Sequence, residues 1–499
     1  MKIASALFVA SGLLWLSGCG GTSATRDTTL SFPHTFELLT LASDDVSSAH
    51  GALGASPANF TDRVEALIAG TIPLNDVFTP NLLYKKPIDA TCYGPKMKYD
   101  NNPDDATPNH GELPSGDLGI WQVNEGNTTE ACTAAELNAR MDGVKERTKS
   151  GLFLLASTLD ALYDSGGTLP AVGSLVDVTA SMPTIPDVSF AGVTIQQPAA
   201  NTFQYDIAFT YTRSGTPYNI QFQIIHKGAS TGTTYKGLMT YQIEDTTHGG
   251  NCGAGENNIT RKGTLVYERS GSDAYDVDAR EAEFCSHSFS GGFTSSDLLD
   301  PSDKFDAGAN PDGWGNNFSR FVADYKISNR AGQYVYAWQA GPGDGHTRVL
   351  QIGLNDHATV DGESYFGYGA DIASTTATFG ENHGMICNWA GPGASHTLQL
   401  YAQRQFLEYN STTGLFETKS GWSDITYAPT NSCQYDGSGT FAYDRNLDGS
   451  LTGSDIAVVT AGAGGDELEF DLYSNGSYTT VADMIIARGT HLPTAPTWP

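Results

Sequence analysis

Basic residues are scarce in this chain. Lys and Arg number 27 against 56 Asp and Glu over 499 residues, a formal net charge of −29. A polyanion of that size repels nucleic acid and anionic lipid, which removes nucleic acid from the classes of partner. No C-x-x-C pair occurs, and this argues against zinc ribbons, thioredoxin-like redox sites and c-type haem. An H-E-x-x-H helix, a Walker loop and a dinucleotide fingerprint are also missing, so the chain leans away from being an enzyme. Past the first eighteen residues no run reaches the apolar length of a transmembrane helix.

What is present fits an exported β protein. Charged residues make up 17%, while Gly, Ser, Thr and Asn are abundant, a turn-rich composition. With 39% hydrophobic and 10% aromatic residues, the chain has enough apolar surface to bury substantial cores. Lys2 gives a positive start, and Ile3 to Trp15 is an apolar run too short to span a bilayer comfortably. Leu16-Ser17-Gly18-Cys19 follows, and it resembles the lipobox of bacterial lipoproteins. The resemblance implies cleavage before Cys19, acyl chains on that residue, and a membrane partner reached through the lipid. Gly20 stands where the enteric inner-membrane retention signal has Asp, so the implied address is the outer membrane. Multiple acyl chains are needed for stable attachment, since a single one holds only marginally.

Lipidation of Cys19 leaves Cys92, Cys132, Cys252, Cys285, Cys387 and Cys433. An even number in an oxidising compartment reads as three disulfides. Of the fifteen pairings open to six cysteines, the most local joins 92 with 132, 252 with 285 and 387 with 433.

The expected fold is α+β, an N-terminal helical domain followed by a large antiparallel β domain, either a sandwich or a curled meander sheet. Residues 1–18 are the signal peptide and 19–29 a flexible tether; 30–165 are the helical domain. Its spine starts at the capping-box pattern Thr133-Ala134-Ala135-Glu136 and carries Leu137, Met141, Val144, Thr148, Leu152, Leu155, Leu159 and Leu162 at steps of three and four, until Gly166-Gly167 stops it. Residues 166–198, with Pro170, Pro183, Pro186 and Pro198, read as a linker. From 199 to 430 the period becomes two, as in Phe203, Tyr205, Ile207, Phe209 and Tyr211. Residues 431–499 form a C-terminal segment.

Two motifs in the β half carry chemistry. Ala340-Gly341-Pro342-Gly343 with His346 returns fifty residues on as Ala390-Gly391-Pro392-Gly393 with His396. Gly-Pro-Gly is type II turn chemistry, so the copies read as duplicated hairpin turns, or as a rim on which His346 and His396 meet. Asp444, Asn446, Asp448, Ser450 and Asp455, with Gly449 at the sharp turn, resemble the twelve-residue calcium loop of EF-hands and dockerin modules. The resemblance implies Ca²⁺ as a structural cofactor. The functional expectation is a lipid-anchored binding or structural module with a glycan or an envelope protein as partner. The alternative is an extracellular polysaccharide hydrolase, which would draw a carboxyl pair from strand acids such as Glu268, Glu283 and Asp324.

Overall fold

The computed structural model describes residues 26, 30–33, 60–72, 97–99, 111–113, 132–229, 234–245, 259–285, 318–327, 332–339, 347–354, 361–369, 397–399, 402–410, 415–418, 425–427, 432–435 and 441–442. Two helices, α1 (Phe60–Ile68) and α2 (Cys132–Asp164), accompany nineteen strands among them. Strands β1 (Met97–Tyr99) and β2 (Gly111–Leu113) pair with each other. The main sheet then runs through β3 (Leu175–Asp177), β4 (Val188–Ala199), β5 (Thr202–Arg213), β6 (Thr216–Gly228), β7 (Tyr235–Asp245), β8 (Ile259–Arg269), β9 (Ala274–Cys285), β10 (Phe318–Lys326), β11 (Gly332–Gln339), β12 (Thr347–Leu354) and β13 (Asp361–Gly369). Each of these strands is hydrogen-bonded antiparallel to the next in sequence, which makes a meander. Strand β14 (Thr397–Gln399) leaves for a three-stranded sheet with β18 (Ser432–Tyr435) and β19 (Phe441–Ala442). The main sheet closes with β15 (Ala402–Asn410), β16 (Leu415–Thr418) and β17 (Ile425–Tyr427), fourteen strands in all.

The antiparallel β half is as the alternation predicts. Helix α2 touches β6 and also β11, β12 and β13. Strands β6 and β11 lie five positions apart, about 24 Å in a flat sheet, whereas a helix is about 10–12 Å across. Contact with both, together with the unbroken burial of residues 147–159, means that the sheet curls around the helix.

The helical domain expected over 30–165 is not confirmed. Buried residues of α2 and of β4 to β11 belong to one hydrophobic cluster, with Phe153, Leu155 and Leu159 in the same core as Phe222, Tyr241 and Tyr267. Residues 147–159 of the helix are buried without a break, so α2 is a spine buried all round and not a stripe facing one side. This explains how polar residues sit inside it. The hydroxyls of Thr148, Ser157 and Thr158 donate to the carbonyls of Val144, Phe153 and Leu154 at 2.7–2.8 Å, so none needs an external partner. The helix stops where the glycine pair predicts. Gly166 takes φ +75°, its N–H reaches the Tyr163 carbonyl, and the N–H of Gly167 reaches that of Leu162. Those two bonds are the Schellman closure.

Two other expectations change. Residues 166–198 are not a bare linker, because β3 and the twelve-residue β4 lie there and complete one edge of the sheet. Strand β4 hides from a period-two search because the register shifts between Phe190 and Gly192. Phe190 faces Phe209, but after the bulge Val193 and Ile195 face Ile207 and Tyr205, so the apolar set moves from even to odd numbers. Arg26, expected inside a flexible tether, is held by both helices (described below).

Candidate functional site: a polar sheet face and a buried charge cluster

Sequence-predicted site residues fall mostly elsewhere. Cys19, Cys92, Cys252, Cys387, His346, His396 and the calcium-loop residues Asp444, Asn446, Asp448, Ser450 and Asp455 lie outside the described residues. Cys132 begins α2, Cys285 ends β9, and Cys433 stands opposite Leu398. In sequence His346 directly precedes β12 and His396 directly precedes β14, strands that belong to different sheets. Among the described residues no group of three His, Cys, Asp or Glu is arranged to hold a metal ion.

Sequence reading missed one motif. Gly228-Ala229-Ser230-Thr231-Gly232 matches the G-x-S-x-G of serine hydrolases. Its context rules against a nucleophile elbow, which needs a strand-to-helix turn, since here the segment joins the antiparallel strands β6 and β7.

The sheet has two different faces. The face toward α2 is aromatic: Phe190, Phe209, Phe222 and Tyr241 follow one another across β4 to β7 with ring centroids 5.6–6.4 Å apart. The opposite face is polar and nonetheless buried. Register places Asp206, Gln223, Thr240, Thr264, Arg280 and Arg320 side by side across β5 to β10. Arg320, only 1% exposed, forks onto Asp278 of the neighbouring strand, with Nε to Oδ1 at 2.9 Å and Nη2 to Oδ2 at 2.6 Å. Two planar groups matched bidentately are what lets such a charge sit inside.

Five strands away in the same row, Asp206 accepts from two amides, Gln223 at 2.6 Å and Gln204 at 2.8 Å. Burial pushes its carboxyl above the usual carboxylate range, and the two amide donors only partly offset that. Because both Gln side chains spend N–H groups on Asp206, their Oε1 atoms point elsewhere. The carbonyl oxygens of Gln204, Gln223 and Gln242 and the hydroxyl of Thr264 have no hydrogen-bond partner among the described residues. This face therefore offers hydrogen-bond acceptors to a donor-rich, uncharged molecule or to water.

The strand acids are also placed. Glu268 pairs with Asp276 and Asp276 with Asp324, so Glu268 and Asp324 share one row with a third carboxylate between them. Glu283 stands opposite Arg261, at an odd position and so at the other alternation.

On the aromatic face, two tyrosines lie across glycines. Tyr241, Gly263 and Glu281 are in one row on β7, β8 and β9, and the Tyr241 hydroxyl passes over Gly263 to donate to Glu281 at 2.5 Å. Tyr267 likewise passes over Gly237 to His226 on β6, with its hydroxyl 3.0 Å from Nδ1. His226 is thus a bonded core residue. Arg147 of α2 closes the first row from above: its Nε donates to the Tyr241 hydroxyl at 3.0 Å and its Nη2 pairs with Glu281, which also meets Arg261 at 3.3 Å. Burial holds the Tyr241 phenol far above its ordinary value, against the opposing pull of the Arg147 charge. It stays protonated and serves as a donor throughout the physiological range.

Comparison with known proteins returns nothing: no family model, no curated protein and no solved structure matches this chain.

Proposed function

We propose that this chain is a lipid-anchored outer-membrane lipoprotein acting as a binding or structural module, with a glycan or an envelope protein as its partner. The observation that carries the anchoring half is the junction with the body. Seven residues after the lipobox cysteine the chain is already seated against α2, so the tether from Cys19 to the folded body is short in sequence. The polar face supports the binding half by its chemistry, since sugar hydroxyls are the kind of donor that its buried, unpartnered Gln carbonyls lack. Calcium held by Asp444, Asn446, Asp448, Ser450 and Asp455 belongs to the same proposal as a structural ion.

The anchor is tested by metabolic palmitate labelling. Wild type should take up label and fractionate with the outer membrane, whereas Cys19→Ala should take up none and remain an uncleaved or mislocalised precursor. Label and membrane retention in that variant would remove the localisation. Calcium is tested by melting: 10 mM Ca²⁺ should stabilise the domain holding the loop by about 1.5–3 kcal/mol if the dissociation constant is about 10⁻⁴ to 10⁻³ M. Equal melting temperatures in Ca²⁺ and in EDTA would make the loop an acidic turn. Glycan binding is read by titrating envelope polysaccharide into the soluble mature chain, and a flat titration would leave only the structural role.

A further inference from the structure

The seat of Arg26 gives the molecule an orientation. Its Nη1 donates to the Ile68 carbonyl at the C-terminal end of α1 (2.7 Å) and to Asp160 of α2 (2.9 Å), and its Nη2 pairs with Asp164. The guanidinium also stands 6.0 Å from the centroid of the Tyr163 ring. A cation at the carbonyl end of one helix and between two carboxylates of another is held by charge from three directions. Gly70 leaves the room: a Cβ there would come within 2.8 Å of Arg26 Nη1. The following residues stay seated. The Tyr205 hydroxyl donates to the Ser31 carbonyl at 2.7 Å, Phe32 is 1% exposed in the core, and the backbone of Leu30 lies against Gly228.

These contacts are at one end of the sheet. Gly228 N–H bonds to the Asn201 carbonyl in the β4–β5 turn, and four residues before that turn Gln197 bridges Val172. Val172 and Leu175, 58% and 55% exposed, are the exposed large apolar side chains among the described residues. The other end of the sheet carries the Ser214-Gly215 turn, eleven residues along β5 from Thr202 and so about 36 Å away.

We propose that Arg26 is a clamp that fixes the chain to the body ahead of the seated Leu30, Ser31 and Phe32, so that the lipid on Cys19 turns the sheet end bearing Val172 and Leu175 toward the bilayer surface. The seven residues from Cys19 to Arg26 span at most about 25 Å when fully extended. The Ser214 end is then the outward one. The proposal rests on the lipid-anchor reading above, and the membrane is the single occupant that a short tether at this end can present to it.

The test uses full-length lipidated protein purified from envelopes and reconstituted into phosphatidylcholine vesicles holding a headgroup-labelled acceptor lipid. A fluorescent amino acid is placed genetically at Val172 or at Ser214. Flotation with the vesicles reads the anchor separately from the orientation. Floating protein with several-fold more energy transfer from position 172 than from 214 is the expected result. In Arg26→Ala the tether lengthens to Leu30 and the difference between the two positions should narrow while flotation persists, and Arg26→Lys should restore part of it. Floating protein with equal transfer from both positions, or more from 214, overturns the clamp and leaves the anchor standing. An unchanged ratio in Arg26→Ala overturns it too. Protein that does not float overturns the anchor, and the orientation falls with it.

Discussion

Asp278→Ala should cost about 3–5 kcal/mol of unfolding free energy, the largest effect expected of any single charge removed from the sheet. The reason is what stays behind. Arg320 is fully buried, and its guanidinium spends two of its nitrogens on Asp278 alone. Alanine at 278 leaves a cation inside beside Arg280, a second positive charge that itself leans on Asp278 at 3.7 Å. Desolvation of an unmatched ion then outweighs the modest net worth of the pair. Replacing both partners by leucine removes the ion together with its counter-ion, and should come within about 1–2 kcal/mol of wild type. Urea denaturation of the four corners of this cycle measures the difference. A single Asp278→Ala variant that loses less than about 1 kcal/mol would mean that solvent reaches the pair, and the second face would then be a wet surface.

That face was not legible in the sequence, for a reason visible in the numbering. Asp278 and Arg320 are 42 residues apart, and their meeting depends on the registers of β9 with β10, which alternation alone leaves free. What alternation does settle is local. Strands β5 and β6 are readable because Phe203 to Tyr211 and Tyr218 to Ile224 keep their parity without interruption, and the Ser214-Gly215 turn between them takes two positive φ angles, as a tight hairpin requires. Strand β4 loses that parity at one bulge and so vanishes into its prolines. Helix α2 shows the complementary failure. Its leucines at steps of three and four predict a helix over the right span, yet the same pattern assigns Ser157, Thr158 and Lys149 to solvent. They are buried, two of them capped by their own helix, because a sheet curled round the spine leaves it no outer side. Of the candidate site, the sequence names acids such as Glu268 and Asp324 but not the row that brings them together. The glutamines that share the polar face were invisible to any motif.

Gly263→Val should be nearly as damaging, and it tests whether the tyrosine laid over β8 is structural. A Cβ at 263 would sit 2.1 Å from Cζ of Tyr241 and 2.2 Å from its hydroxyl oxygen, with the ring, not a flexible tip, as the obstacle. Tyr241 is buried between Phe222 and Arg147, so it has no empty volume to swing into. Overpacking of this kind costs about 1–3 kcal/mol. Displacing the hydroxyl also breaks its bonds to Glu281 and Arg147, each worth about 1.5–3 kcal/mol where a charged partner is buried. Both bonds are made by one hydroxyl and are lost together with the repacking, so the contributions do not add in full, and the expected cost is about 3–5 kcal/mol. Tyr241→Phe separates the two contributions, since it keeps the ring over glycine and removes only the hydroxyl, and should cost the hydrogen-bond part alone. If the clash is the cause, Tyr241→Ala in the Gly263→Val background should destabilise by less than the two single changes added together, because the ring that valine strikes is gone; the shortfall should lie between about 0.5 and 3 kcal/mol. Strict additivity would show that valine and tyrosine never compete for the same space, and that the Tyr241–Glu281 bridge does not depend on the glycine beneath it.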